Sequence, residues 1–370
     1  MEKVTIGRFG EMEDLHSSGK FSAAKPNRLM PYKVKNFLLV ASLYDYFMLE
    51  EDSRLQELLL KFYQKWNLGY IPQFLRINGG ENALQVIKNE KFDLVIVVMR
   101  LGDMDPFTFG RLVKEIDPAL PVIGLAFNTP ELKRLLEIDD NTAVERIFVW
   151  QGDGRILLGI LQYIEDRKNA VNDIQIGGFQ SILLIEDAID FYSSYLPSVF
   201  SVLRELTEQS LKDDLTFAQK LQRQNARPRV QLATSYEEAT AIFEQSKSNL
   251  LGIITDSSFP QNKILNPSAG LSFVEKVFSE LPNLPILLQS SEPAAEVMAR
   301  KAGIGYLSKN SPTLLQGSLR VRSPDSRNHH RPSSQQCHFI WEKIGISIIS
   351  RYFKPVKHCV RSINRCLSVV

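Results

Sequence analysis

Five side chains in the second half of this 370-residue chain have types and spacing suited to phosphoryl chemistry. Glu186 and Asp187 follow the apolar run Ser181–Ile185, and Asp256 follows Leu251–Thr255. Ser290 follows Pro285–Gln289, and Lys309 comes just after Ile304–Leu307. If those runs are strands of one parallel sheet, all five groups gather along its carboxyl edge, where such sheets carry their functional groups. Three carboxylates converging there repel one another unless a cation sits among them. Oxygen-only ligands favour magnesium, which binds through one or two carboxylates plus phosphate oxygens and keeps several waters. A lysine and a hydroxyl on the same rim can hold the oxygens of a transferring phosphoryl group. The remaining carboxylate is then a nucleophile, and its product an aspartyl phosphate. Taken singly, each residue has an ordinary explanation. Carboxylates are favourable at any helix start, Asp256 suits an Asx-turn, Ser290 suits a helix cap, and Lys309 suits a surface. The composite is what carries the reading, because four strand ends each supply the required group in the required order.

The elements that must position these residues can be read from periodicity. Asn36–Val40, Ile71–Ile77, Phe92–Met99, Pro121–Phe127 and Ile147–Trp150 are strand-like runs. Helical patterns lie between and after them, at about 53–66, 81–89, 107–115, 132–137 and 154–167. The order then repeats. Strands are expected at Ser181–Ile185, Arg229–Ala233, Leu251–Thr255, Pro285–Gln289 and Ile304–Leu307. Helices are expected over 188–224 (kinked near Pro197), 236–245, 271–281 and 292–302. Alternating β and α elements predict an α/β fold. Here that means two tandem doubly wound five-stranded parallel sheets, divided near residues 170–178.

On these residues the second copy resembles a bacterial response-regulator receiver, a flavodoxin-like domain. The resemblance implies magnesium bound by Glu186, Asp187 and Asp256, with Asp256 as phosphoacceptor. It implies Ser290 and Lys309 as phosphate contacts and Tyr306, three residues before the lysine, as the aromatic switch. It further implies a histidine kinase or phosphotransfer protein as phosphodonor. Two departures stand out: Asn310 replaces the family's usual proline, and Gln261–Ala269 lengthens the loop after the acceptor. The first copy lacks the chemistry. Its strands lead into Ala41-Ser42 instead of an acidic pair, and offer Val98, Ala126 and Trp150 where acceptor, hydroxyl and lysine should stand. Asp103 and Asp105 come too late, and Glu50-Glu51-Asp52 reads as a solvated acidic helix start. This copy resembles a pseudo-receiver, with a docking or dimerisation role.

Phrases such as Met99-Arg-Leu-Gly-Asp-Met-Asp-Pro106 and Ser308-Lys-Asn-Ser-Pro-Thr-Leu-Leu315 resemble a narrower group. They are similar to the amino-terminal regulatory region of bacterial proteins related to phosphoenolpyruvate synthase and pyruvate phosphate dikinase. That resemblance makes a truncated regulatory region of such an enzyme the alternative reading. Neither copy has a glycine-rich phosphate loop or a histidine in a catalytic context, so turnover of pyruvate or ATP is not expected.

Composition bounds the rest. The organisation expected is a leader over 1–33, a pseudo-receiver over 34–170, a receiver over 177–316 and a tail over 317–370. From Ser318 onward there are ten Lys/Arg against two Asp/Glu, whereas the residues before it carry 34 and 40. All three cysteines fall in that tail. So abrupt a change suggests a shifted reading frame or otherwise unrelated sequence, poorly ordered for want of a core to join. Its Cys337-His338 and His358-Cys359 pairs do not match zinc-ligand spacing, and its basic residues sit in no recognisable nucleic-acid module. No apolar run reaches membrane-spanning length and the start resembles no signal peptide, so a cytoplasmic protein without a membrane or nucleic-acid partner is expected.

Overall fold

In a computed structural model, the described residues are 30–66, 68–127, 143–209, 216, 225 and 227–309. The expected helix over 132–137, Asn310, the tail over 317–370, nearly all of the leader and most of 210–224 lie outside them.

The continuous apolar runs become parallel strands. In the first unit the order is β1 (Asn36–Val40), α1 (Leu43–Ser53), α2 (Leu55–Lys65), β2 (Gln73–Ile77), α3 (Gly80–Asn89), β3 (Leu94–Val98), α4 (Pro106–Ile116), β4 (Val122–Ala126) and β5 (Arg146–Val149). The sheet runs β2-β1-β3-β4-β5 with every neighbouring pair parallel. Every residue of β3 and β4 is buried, as helices on both faces of a parallel sheet demand. The start of the first helical region differs from expectation. Ser42 accepts a hydrogen bond from the Asp45 amide and nucleates α1, which then runs until Arg54 adopts a left-handed conformation (φ 44°). Glu50-Glu51-Asp52 therefore fall near the end of α1 and do not start a helix.

The second unit begins with a long helix, α5 (Arg155–Gly177). It continues through β6 (Ser181–Ile185), α6 (Ile189–Gln209), β7 (Arg229–Ala233), α7 (Tyr236–Ser246), a short 3-10 turn (Lys247–Asn249) and β8 (Leu250–Asp256). Then come a hairpin of β9 (Phe259–Gln261) and β10 (Ile264–Asn266), α8 (Ala269–Glu280), β11 (Ile286–Ser290), α9 (Pro293–Ala302) and β12 (Gly305–Ser308). Its sheet is ordered β7-β6-β8-β11-β12, all parallel, which is the strand order of the first unit repeated. The fold is thus two tandem flavodoxin-like α/β units.

Contacts divide the chain between Gly154 and Arg155, earlier than the 170–178 divide that the sequence pattern indicates. Buried ion pairs tie α5 to the second unit. Asp166 on α5 takes a bidentate ion pair from Arg227, at 2.7 and 2.8 Å, and also accepts from the Val230 amide at 2.8 Å. Asp173, two turns on, accepts from Arg229 Nε at 2.8 Å. All four side chains are fully buried, so separating α5 from β7 would strand charges in a dry interior. Pro197 does not break α6; its ring lies over Gly159 of α5, where an added Cβ would come within 2.8 Å.

Candidate functional site

Each of the four strands named by the sequence delivers its residue to the carboxyl edge of the second sheet. Glu186 directly follows β6, Asp256 ends β8, Ser290 ends β11 and Lys309 directly follows β12; all four side chains are buried. Asp187 is half-buried beside Glu186. Backbone hydrogen bonds extend the ladder through this edge. The Glu186 amide donates to Ala233 O at 3.0 Å, Ser257 to Gln289 O at 3.0 Å, and Lys309 to Ser290 O at 2.9 Å. The functional groups therefore sit on ordered sheet backbone.

The side chains converge. The Lys309 ammonium lies 2.8 Å from Asp256 Oδ2 and 2.9 and 2.7 Å from the two Glu186 oxygens. It also stands 4.4 Å from the centroid of the Phe191 ring. The other Asp256 oxygen accepts from the Ser257 amide at 2.6 Å. Ser290 Oγ accepts from the Glu292 amide at 3.0 Å and from Ser257 Oγ at 3.0 Å. Ser290 thus caps the approach to α9 and is joined to Ser257, the residue after β8. The Tyr306 hydroxyl donates toward Ser290 O and Glu292 O, each at 3.3 Å.

One lysine does not neutralise three carboxylates. Burial pushes the Glu186 carboxyl up; Lys309 pulls it back and the Asp256 charge pushes it further, leaving it raised to about 7. Asp187 is also raised, first by burial and then by Asp256. Burial by itself would lower the Lys309 ammonium, but Glu186 and Asp256 outweigh it and raise it. Among the described residues, ligand oxygens of Glu186, Asp187 and Asp256 lie within 4.8 Å of one another. A cluster of hard oxygen donors with surplus negative charge fits magnesium.

The sequence reading did not identify Gly270 or Ser257 as part of this arrangement. The Gly270 amide donates to Ser257 O at 3.0 Å, and an added Cβ at Gly270 would stand 2.2 Å from Asp256 O. Only glycine lets the start of α8 lie this close to the Asp256 backbone. A glycine inside a helical pattern is itself a signal of such an approach. The lengthened loop after Asp256 carries the β9–β10 hairpin, turned by Asn262 and Lys263 at φ 52° and 65°.

The same backbone register exposes what the first unit lacks. Ala41 donates to Ile77 O, Met99 to Leu125 O and Trp150 to Ala126 O, at 3.0, 2.9 and 2.7 Å. Ala41 thus occupies the place of Glu186, Val98 that of Asp256, Ala126 that of Ser290 and Trp150 that of Lys309. Asp103 instead accepts from the Gly80 and Glu81 amides at the start of α3, and Asp105 caps α4. The buried carboxylate nearest this edge, Asp45, is paired with Arg100 and accepts from Ser42 Oγ at 2.7 Å. Trp150 is only 6% exposed, so its ring lies in the interior and not on a docking surface. Among the described residues of this unit, the large apolar side chains left exposed are Leu43, Tyr44 and Phe47 on α1.

No protein-family model matches the chain. Two curated relatives are similar over 84 residues at 29% identity, the autoinducer 1 sensor kinase/phosphatase LuxN of Vibrio campbellii and that of Vibrio harveyi. The match covers 23% of this chain and 10% of either relative, so the chain spans about a tenth of the length of the curated relatives it matches. Two solved structures of two-component system response regulator/GGDEF domain proteins align over 75% of this chain and 92% of theirs. Their identities are 16% and 17%, with a TM-score of 0.29 for each. At that TM-score the likeness does not define the fold, which rests on strand order and register. None of these proteins is of the phosphoenolpyruvate synthase kind, and they lend that resemblance no support. No helix among the described residues is long and apolar enough to cross a membrane.

Proposed function

We propose that this chain is a cytoplasmic response regulator whose second unit accepts a phosphoryl group on Asp256. The observation that carries the reading is the convergence of Glu186, Asp187, Asp256, Ser290 and Lys309 from four strands onto one carboxyl edge. An Asp256 carboxylate oxygen attacks phosphorus while the bond to the donor breaks and its electron pair leaves with the donor. Lys309 and the hydroxyl of Ser290 then meet the phosphoryl oxygens, and Tyr306 follows the change at Ser290 as the switch. Bound by Glu186, Asp187 and Asp256, magnesium would offset the crowded negative charge of acceptor and phosphoryl group. The donor would be a histidine kinase or phosphotransfer protein. The similarity to a sensor kinase/phosphatase agrees with that partner class. Self-phosphorylation is the only chemistry assigned to the chain. The first unit has apolar groups in the acceptor, hydroxyl and lysine places and exposes Leu43, Tyr44 and Phe47, which suits a docking or dimerisation role without phosphorylation.

The test is incubation with magnesium and acetyl phosphate. The full chain should gain one acid-stable, alkali-labile phosphoryl group, and Asp256→Asn should abolish it. Asp187→Asn should weaken magnesium binding, while Lys309→Ala should retain binding and impair the reaction. Equal stoichiometry of labelling on the Asp256→Asn protein would refute the reading.

A further inference from the structure

The hydroxyl pair beside the acceptor assigns a role to a residue outside the set considered so far. Ser290 Oγ accepts from the Glu292 amide at 3.0 Å and lies 3.0 Å from Ser257 Oγ. A serine hydroxyl has two acceptor lone pairs and one proton to donate. The Ser257 hydroxyl has two acceptors within reach, Ser290 Oγ at 3.0 Å and Asp256 Oδ1 at 3.4 Å. Hydroxyl hydrogen bonds run from about 2.5 to 3.0 Å, so the shorter contact wins. Asp256 Oδ1 is in any case served by the Ser257 amide at 2.6 Å.

With both Ser290 lone pairs filled, by an amide on one side and Ser257 on the other, its own O–H is turned away from both donors. It is left free to meet an oxygen arriving over Asp256. We propose that Ser257 is a positioning residue for phosphoryl transfer, acting through Ser290 by fixing the direction in which that hydroxyl donates. A donor aimed before the reaction costs no reorganisation when charge moves onto the phosphoryl oxygens. Without Ser257 Oγ, one lone pair of Ser290 is open and its rotor is no longer held.

This rests on Asp256 being the phosphoacceptor, and the experiment separates the two claims. The full chain is labelled with acetyl phosphate in excess magnesium, and the rate is followed across acetyl phosphate concentrations. Ser257→Ala should lower the maximal rate by about three- to tenfold, the worth of one neutral hydrogen bond. The half-saturating concentration of acetyl phosphate should not change. Ser257→Thr, which keeps the hydroxyl, should restore the rate. The double variant Ser257→Ala/Ser290→Ala should be no slower than Ser290→Ala alone, because the two act as one unit. A wild-type rate in Ser257→Ala, an effect confined to half-saturation, or losses that add with those of Ser290→Ala would overturn the positioning role alone. Absence of labelling in the unaltered chain would overturn the acceptor assignment and this role with it.

Discussion

Lys309→Met removes the ammonium that lies within 3 Å of two buried carboxylates while keeping most of the side-chain volume. Lys309 is 8% exposed, Asp256 6% and Glu186 2%, so water cannot replace the lost charge. Breaking a buried ion pair by removing one partner costs about 3–5 kcal/mol. For a unit of this size each kcal/mol is worth about 2–4 °C, so the second unit should melt roughly 6–20 °C lower without metal. The deficit should depend on pH. Glu186, already raised to about 7, moves higher still without the lysine, so at pH 6 it takes up a proton and limits the cost. At pH 8 taking up that proton costs more, and the deficit is larger. Magnesium supplies the missing positive charge, so its stabilising shift should be larger in the variant than in the unaltered chain. The assay is thermal unfolding by circular dichroism at pH 6 and 8, in chelator and in excess magnesium. A variant as stable as the unaltered protein in chelator at pH 8, or one gaining no more from magnesium, would refute the reasoning.

In chelator, the unaltered second unit should lose stability as pH rises from 4.5 to about 7, since the folded state holds the Glu186 proton more tightly than the unfolded chain, whose value is the ordinary 4.5. Urea titrations across that range check the sign. Magnesium affinity should run the other way, rising through about pH 7 and levelling above it, because binding displaces the same proton; calorimetry at several pH values reads this. Gly270→Ala forces a Cβ against Asp256 O and Ser257 Cα, backbone atoms that cannot swing aside. It should cost about 1–3 kcal/mol in urea unfolding and reduce labelling of Asp256, and a neutral outcome would contradict the packing. Arg227→Met leaves Asp166 buried without its cation and should destabilise the second unit by about 3–5 kcal/mol. Asp166→Leu in the same protein should recover much of that loss, as measured by the same unfolding assay.

How much was legible in the sequence depends on the range of the interaction. The strand run Leu94–Val98 is apolar at every position and Leu251–Thr255 at most of them, and burial on both faces of a parallel sheet is the condition that asks for that. Their alternation with helical periodicity determined the tandem fold. The order of Glu186, Asp256, Ser290 and Lys309 after successive strands determined the edge at which they meet. The Ser42 and Asp105 caps act on amides three residues away, a short-range signal that the sequence reading did not use.

Tertiary structure alone decided what depends on partners distant in sequence. Arg227 and Arg229 meet Asp166 and Asp173 across 61 and 56 residues, and this binds α5 into the second unit although its helical periodicity fits the end of the first. The acidic run at Glu50 read as a helix start because acidic residues favour that end, yet Ser42 had already begun the helix and Arg54 ends it. The need for glycine at position 270 comes from the Asp256 carbonyl, fourteen residues earlier in the chain. The pairing of Ser257 with Ser290 spans 33 residues and two strands. Periodicity records which face of an element is buried. Which groups then meet on that face is set by the strand register, and the charges and hydroxyls of this site take their properties from that meeting.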